Sequence, residues 1–158
     1  MPRRNSPERR PVEPDMKYNS ERVAMFINRL MYDGKKSTAT RVLYNAFDLV
    51  EKRSSGQPAL EVFEQALKNV GPRVEVRPKR VGGTTYQVPY EVNNYRALTL
   101  AMRWLLASSR KRSGRSMSEK LANEFMDAAK GQGASVKKRD DTHRMADANR
   151  AFAHFSRY

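Results

Sequence analysis

The segment from residue 73 to residue 92, RVEVRPKRVGGTTYQVPYEV, is the stretch of this 158-residue chain whose pattern most favours β-structure. Valines alternate with charged residues before Gly82-Gly83, Tyr86, Val88 and Tyr90 alternate after it, and paired glycines supply the positive φ angles of a tight hairpin turn. The sequence on either side has helical periodicity. Because a lone two-stranded hairpin is marginal without support, the chain must fold as a helical body that carries one β arm.

The length of the hairpin loop decides which residues share a face. A two-residue loop at Gly82-Gly83 would pair Val76 with Pro89 and place Val76 and Val88 on opposite faces. An odd loop would align the two valines. Two alternatives follow: the loop is odd, or the outer arm has no buried face and is shaped by its ligand.

Apolar residues at spacings of three and four predict about six helices around the arm. Their predicted bounds are Asn19 or Ser20 to Asp33-Gly34, about 39 to 50, Pro58 to Gly71-Pro72, Asn93 or Asn94 to about 108, Ser116 to Ala129, and Ala134 to Phe155. Lys35 and Lys36 are predicted in a turn, and Ser116 with Glu119 has capping-box spacing. The predicted fold is mainly α, a single domain with the hairpin between the third and fourth helices.

The first 17 residues hold four prolines and two Arg-Arg pairs with almost no apolar periodicity. Such a segment is predicted to be a basic extended arm that orders on binding, or a frayed terminus in the isolated protein. The predicted domain therefore covers residues 18–158, with the hairpin at 73–92.

The charge balance points to a polyanionic partner. Lys and Arg number 31 against 17 Asp and Glu, a formal net charge of +14, and such an excess is offset by a partner of opposite sign. Apolar runs near 18 residues are absent, so no membrane span is predicted. The opening MPRRNSPERRP lacks the apolar core of a secretory signal. The chain has no Cys, which excludes disulfides and the usual zinc fingers.

The fourth predicted helix carries the clearest basic face. Arg96, Arg103 and Arg110 are spaced by seven, so they drift only about 20° per step and line one face over roughly 21 Å. Past them the positive charge continues through Lys111, Arg112 and Arg115, and no acidic residue lies between 96 and 115. We interpret this face as phosphate-binding; the alternative is a solvated helix surface.

The hairpin contributes a second candidate set, which comprises Arg73, Arg77, Lys79, Arg80 and Tyr86. The cations suit phosphates, and the tyrosine suits stacking on an unpaired base. Alternatively, these are edge charges that keep an exposed hairpin from aggregating. Two less specific clusters are Lys35-Lys36 and Lys137-Lys138-Arg139.

Catalytic chemistry is poorly supported. His143 and His154 are too far apart on one helix to bind a single ion, about 16 Å, and two ligands such as His143 and Asp147 do not make a site. Gly82-Gly83-Thr84-Thr85 lacks the pattern of a phosphate-binding loop. We expect no enzyme activity, cofactor, metal or small-molecule substrate.

Several segments together resemble the bacterial-type small-subunit ribosomal protein seven family. The matching stretches are MPRR at the start, MYDGKKSTA (31–39), VEVRPKRVGGTTYQVPYEV (74–92), AMRWLL (101–106), RKRSGRSM (110–117) and LANEFMDAAKGQGASVKKRDDTHRMADANRAFAHF (121–155). They span nearly the whole chain in order. Two departures are the more acidic residues 5–14 and Ser108-Ser109.

The resemblance implies a protein of the small-subunit head that binds the 3′ major domain of the rRNA and nucleates head assembly. Its hairpin would lie near exit-site tRNA and mRNA, beside neighbouring ribosomal proteins, in the cytoplasm or an organelle-encoded ribosome. Residues implied as rRNA contacts are Arg3, Arg4, Lys35, Lys36, Arg73, Arg77, Lys79, Arg80 and Lys137 to Arg139.

Two other classes stay open on the residues alone. An architectural DNA-bending protein would insert the β arm into the minor groove, with Pro78 as a wedge. A nuclease would need a metal-dependent site, for which Asp140-Asp141 are a poor candidate because adjacent helical residues diverge by about 100°.

Overall fold

The computed structural model describes residues 11–54 and 56–157. The elements in these ranges are α1 (Glu21–Leu30), α2 (Lys36–Arg53), α3 (Ala59–Val70), β1 (Val74–Val81), β2 (Thr84–Glu91), α4 (Asn94–Lys111), α5 (Met117–Ala129), α6 (Ala134–Ala148) and a 3₁₀ helix (Arg150–Arg157). The predicted fold class is confirmed: the chain is mainly helical, with an antiparallel two-stranded hairpin between α3 and α4.

Four phenylalanines form the centre of the helical core. Phe26, Phe47, Phe63 and Phe125 come from α1, α2, α3 and α5, and all are fully buried. Their neighbouring ring centroids lie 5.3–6.1 Å apart, most of them edge to face, the arrangement that aromatic quadrupoles prefer. Helix α5 packs against α2, α3, α4 and α6 and so runs through the middle of the bundle.

Two predicted helix starts are confirmed by their capping contacts. Asn93 accepts a hydrogen bond from the backbone N–H of Arg96 at the start of α4, and Ser116 accepts one from Glu119 at the start of α5. Each cap satisfies an amide that has no partner within the helix. The Glu119 carboxylate accepts a hydrogen bond from the N–H of Arg115, one residue before the cap. The capping box is therefore displaced by one position.

The junction between α1 and α2 differs from the prediction. Helix α1 ends at Leu30, before Asp33-Gly34, and Lys36 is the first residue of α2 rather than a turn residue. Asp33 and Gly34 take φ angles of 51° and 72°, and the Lys35 N–H donates to the carbonyl of Tyr32 at 2.9 Å. These residues form a tight left-handed turn that separates the helices, which is why the glycine does not serve as a helix cap.

The hairpin loop has two residues, so the odd-loop alternative is wrong. Val81 pairs with Thr84 and Val76 with Pro89, around Gly82 and Gly83 at φ 57° and 88°. The second alternative is wrong in part, because one face of the arm is buried at Glu75 and Val88 toward the base and half-buried at Lys79, Val81 and Tyr86 on the outer arm. That inner face carries Glu75, Arg77, Lys79, Val81, Thr84, Tyr86, Val88 and Tyr90, whereas Val74 and Val76 lie on the outer face.

The inner face is covered by the end of the chain, which was predicted as one helix to Phe155. Instead, α6 stops at Ala148 and a 3₁₀ helix follows and packs on β2. In a 3₁₀ helix, residues three apart eclipse one another. Phe152 and Phe155 therefore point the same way, with ring planes 13° apart, and both reach Tyr86.

Part of the segment predicted as an extended arm is attached to the core. Asp15 is buried and accepts hydrogen bonds from the N–H groups of Lys17 and Tyr18, both at 3.1 Å. The Tyr44 hydroxyl of α2 donates to the same carboxylate at 2.8 Å. The chain is thus held against α2 just before α1 begins.

Candidate nucleic-acid interface

The inner face of the hairpin holds two of its four predicted cations in contacts within the protein. Arg77 pairs with the buried carboxylate of Glu75 and lies 5.5 Å from the ring centroid of Tyr90. The Lys79 ammonium donates to the carbonyl of Phe155 at 2.8 Å. Half of the Arg77 side chain stays exposed, so it can meet an anion from one side only.

Tyr86, predicted to stack on a base, is instead packed against the C-terminal segment. Its ring centroid lies 5.2 Å from those of both Phe152 and Phe155, and the side chain is half-buried. The backbone N–H of Arg73 at the foot of β1 donates to Nε2 of His143 on α6 at 3.0 Å. These contacts hold the arm at its base and near its tip.

The remaining hairpin cations are open to solvent. Arg73 and Arg80 are exposed, and Arg80 lies on the outer face near the turn. Within the described ranges neither has an acidic partner. Of the four arm cations, these two are the most accessible to phosphate.

The basic face of α4 is divided by its surroundings. Arg96 pairs with Glu75 of β1 at 3.3 Å, an acid 21 residues before it in the chain. Arg103 is exposed with no acidic partner in the described part of the chain. Arg110 lies over the ring of Tyr32, with Cζ 4.4 Å from the centroid. The three arginines therefore have three different environments.

Arg112 forms ion pairs that link the end of α4 to α5 and, through Glu124, to α6. Its guanidinium pairs with Asp127 and lies 3.4 Å from Oε2 of Glu124, which is almost completely buried. Oε1 of Glu124 in turn accepts from the backbone N–H of Ser135, at 3.1 Å, and from its hydroxyl, at the start of α6. Gly133 precedes this start at φ 95°, where a Cβ would lie 3.3 Å from Asp127.

This junction brings two distant basic clusters together. Lys111 at the end of α4 and Lys138 on α6 line one open groove with the half-buried Trp104. Both lysines are exposed and, within the described ranges, have no acidic partner. Arg115 and Lys137 are exposed as well, whereas Arg139 pairs with Asp140 and donates to the Asn69 carbonyl. The groove therefore carries unpaired lysines from two elements that are far apart in the sequence.

The last predicted cluster, Lys35-Lys36, is exposed at the α1–α2 turn. The predicted contacts Arg3 and Arg4 lie outside the described residues.

The sequence analysis did not identify several residues that shape this interface. They are Glu75, the pair Phe152 and Phe155, and Tyr32. The i,i+3 spacing of the two phenylalanines was visible, but their target on β2 was not. Tyr32 could have been noticed as an aromatic residue beyond the apolar stripe of α1, beside two lysines.

Opposing influences act on the pKa of Glu75. Burial raises the pKa, and the hydrogen bonds and charges of Arg77 and Arg96 lower it by more, so that the folded-state pKa lies below its ordinary value of 4.5. A carboxylate with a depressed pKa contributes stability that is present above the unfolded-state pKa and is lost as the pH falls through the folded-state value.

We therefore expect Glu75→Gln to destabilise the protein most at neutral pH. The difference in unfolding free energy from the parent chain should shrink as the pH falls from about 5 to about 3, and urea denaturation across that range measures it. Glu91→Gln, at an exposed position on the outer face of the same hairpin, is the matched control. A constant difference between Glu75→Gln and the parent at all pH values would contradict the ion-pair assignment.

The fold and surface together define a class of basic structural protein. A helical body holds a short hairpin against itself, and exposed cations remain on the hairpin, α4, α6 and the α1–α2 turn. Across residues 11–54 and 56–157, no cluster of three His, Cys, Asp or Glu could hold a metal. No helix in those ranges has the length and apolarity of a membrane span.

Comparison with known proteins agrees with this class. Residues 2–150 match the family model of ribosomal protein S7p/S5e. The small ribosomal subunit protein uS7 of Thermoanaerobacter pseudethanolicus is 57% identical over 155 residues, covering 98% of this chain and 99% of the relative. That of Chloroflexus aurantiacus is 56% identical over 157 residues, 99% of both chains. The chain belongs to the ribosomal protein S7p/S5e family and is a non-enzymatic ribosomal protein of the small subunit.

Proposed function

We propose that this protein binds directly to the 3′ major domain of small-subunit rRNA and nucleates assembly of the subunit head. The observation that carries the proposal is the distribution of unpaired charge. Among the predicted contacts, the described cations that have neither an acidic nor an aromatic partner lie at the α1–α2 turn, on the hairpin, on α4 and the loop after it, and on α6; they are Lys35, Lys36, Arg73, Arg80, Arg103, Lys111, Arg115, Lys137 and Lys138. Cations dispersed over several elements suit several RNA helices that meet at a junction, because each can neutralise phosphates of a different strand.

The internal ion pairs support a division of roles. Glu75 forms ion pairs with Arg77 and Arg96, and these pairs orient the hairpin. Arg112 forms ion pairs with Glu124 and Asp127, and these pairs orient α6. The exposed cations are then carried on rigid supports, which lowers the entropy lost when they bind RNA. The hairpin tip, with Arg80, would reach toward exit-site tRNA and mRNA in the cytoplasmic small subunit, next to neighbouring ribosomal proteins.

The test compares affinity for a transcript of the rRNA 3′ major domain with affinity for a duplex DNA of similar length at the same salt concentration. We expect the transcript to bind roughly a thousandfold more tightly, the lower end of usual specificity ratios, because the junction displays shape and 2′-hydroxyl groups. Equal affinity would favour the architectural DNA-binding alternative. Cleavage of the transcript in Mg²⁺ would contradict a purely structural role.

A further inference from the structure

Tyr32 is an aromatic side chain that folding leaves in solvent. The residue is 63% exposed, although the preceding apolar residues of α1 are buried. The turn made by Asp33 and Gly34, closed by the hydrogen bond from Lys35 to the Tyr32 carbonyl, holds the residue outside the bundle. An exposed tyrosine contributes little to the core, and its ring is accessible to a ligand.

One face of the Tyr32 ring is already organised. The Arg110 guanidinium lies over it at 4.4 Å from the centroid, a cation–π contact between the α1–α2 turn and the end of α4. Stacking restricts both side chains. The pair therefore presents two flat surfaces, the free face of the ring and the outer face of the guanidinium, without further ordering.

The charges around the pair select the partner. Lys35, Lys36 and Lys111 are chain neighbours of its two members, and all are exposed without an acidic partner in the described ranges. Asp33 is the one carboxylate of the turn. Three lysines and Arg110 outweigh it, so the surface favours an anionic ligand that also carries a planar group.

We propose that the Tyr32–Arg110 pair is a stacking site for an unpaired nucleobase of the bound RNA. A nucleotide supplies both features, a π face for the ring or guanidinium and a phosphate for the flanking lysines. The inference rests on the proposed function and adds a recognition site at the α1–α2 turn, outside the hairpin.

The test measures binding of the 3′ major domain transcript to Tyr32→Leu and Tyr32→Phe over a range of salt concentrations. Losing one stacked base typically weakens binding by roughly five- to a hundredfold, so we expect Tyr32→Leu to bind about tenfold less tightly. Tyr32→Phe keeps the ring and should bind like the parent. The salt slope should not change in either variant, since neither loses a charge.

A second measurement places the base at the site. Trp104 is the sole tryptophan, so Tyr32→Trp combined with Trp104→Phe yields a single reporter at position 32. Saturating transcript should quench its emission through stacking on a base. Two results would overturn the stacking site: unquenched emission of the reporter, or unchanged affinity of Tyr32→Leu while the parent binds the transcript. Either result would favour a contact of the exposed ring with a protein partner. If the parent chain fails to bind the transcript, the proposed function falls as well.

Discussion

Glutamine at Arg80, Arg103 and Lys138 is expected to weaken rRNA binding and to flatten its dependence on salt. If the parent chain neutralises about 6–10 phosphates, its affinity should fall roughly 10³–10⁵-fold between 50 and 200 mM salt. Each lost phosphate contact reduces the slope of log affinity against log salt by about 0.7–0.9, so the triple variant should lose about two. Filter binding or fluorescence anisotropy of a labelled transcript measures the slope.

The matched control replaces Lys52, Lys68 and Lys130 by glutamine. These lysines are also exposed and their loss changes the net charge equally, but they lie outside the predicted contact set. We expect the control to keep a slope close to that of the parent. Equal flattening in both triple variants would mean that overall charge, rather than particular surfaces, determines binding.

A loss of about 3–5 kcal/mol in unfolding free energy is expected for Glu124→Leu, since breaking a buried ion pair from one side leaves uncompensated groups. The Glu124 side chain is 1% exposed. Its removal deprives the buried amide and hydroxyl of Ser135 of their acceptor and leaves Arg112 with Asp127 alone. Each buried polar group without a partner costs about 1–3 kcal/mol.

Urea denaturation of Glu124→Leu and Glu119→Gln measures this effect. Glu119 lies on the same helix and pairs with Arg53 near the surface at 3.5 Å, so its replacement should cost less than about 1 kcal/mol. We also expect Glu124→Leu to weaken RNA binding, because Ser135 begins the helix that carries Lys137 and Lys138. Parent-like stability of Glu124→Leu would contradict the role of this junction.

The basic stripe of α4 shows where sequence reasoning reaches its limit. The seven-residue spacing correctly placed Arg96, Arg103 and Arg110 on one helix, and the absence of acids between residues 96 and 115 suggested that all three were free. Glu75 lies 21 residues before Arg96 in the chain, yet the two side chains form an ion pair in the folded protein. Proximity along the chain is therefore a poor guide to charge neutralisation.

The hairpin gives the same lesson for aromatic residues. The turn glycines and the strand alternation predicted the arm and offered its register as one alternative. The covering of Tyr86 was not predictable, since Lys79 and Phe155, which meet beside it, are 76 residues apart. An aromatic ring on a predicted basic strand looks free for a base until the rest of the chain is placed.

The sequence by itself determined the approximate positions of the helices, the caps at Asn93 and Ser116, the position of the hairpin and the excess of positive charge. These features depend on periodicity, capping chemistry, glycine φ angles and composition, all of which are local or global properties of the chain. Only the tertiary structure decided which cations are paired, which face of the arm is covered and that Tyr32 meets Arg110. Those outcomes depend on contacts between residues far apart in the chain, which form only when the helices pack.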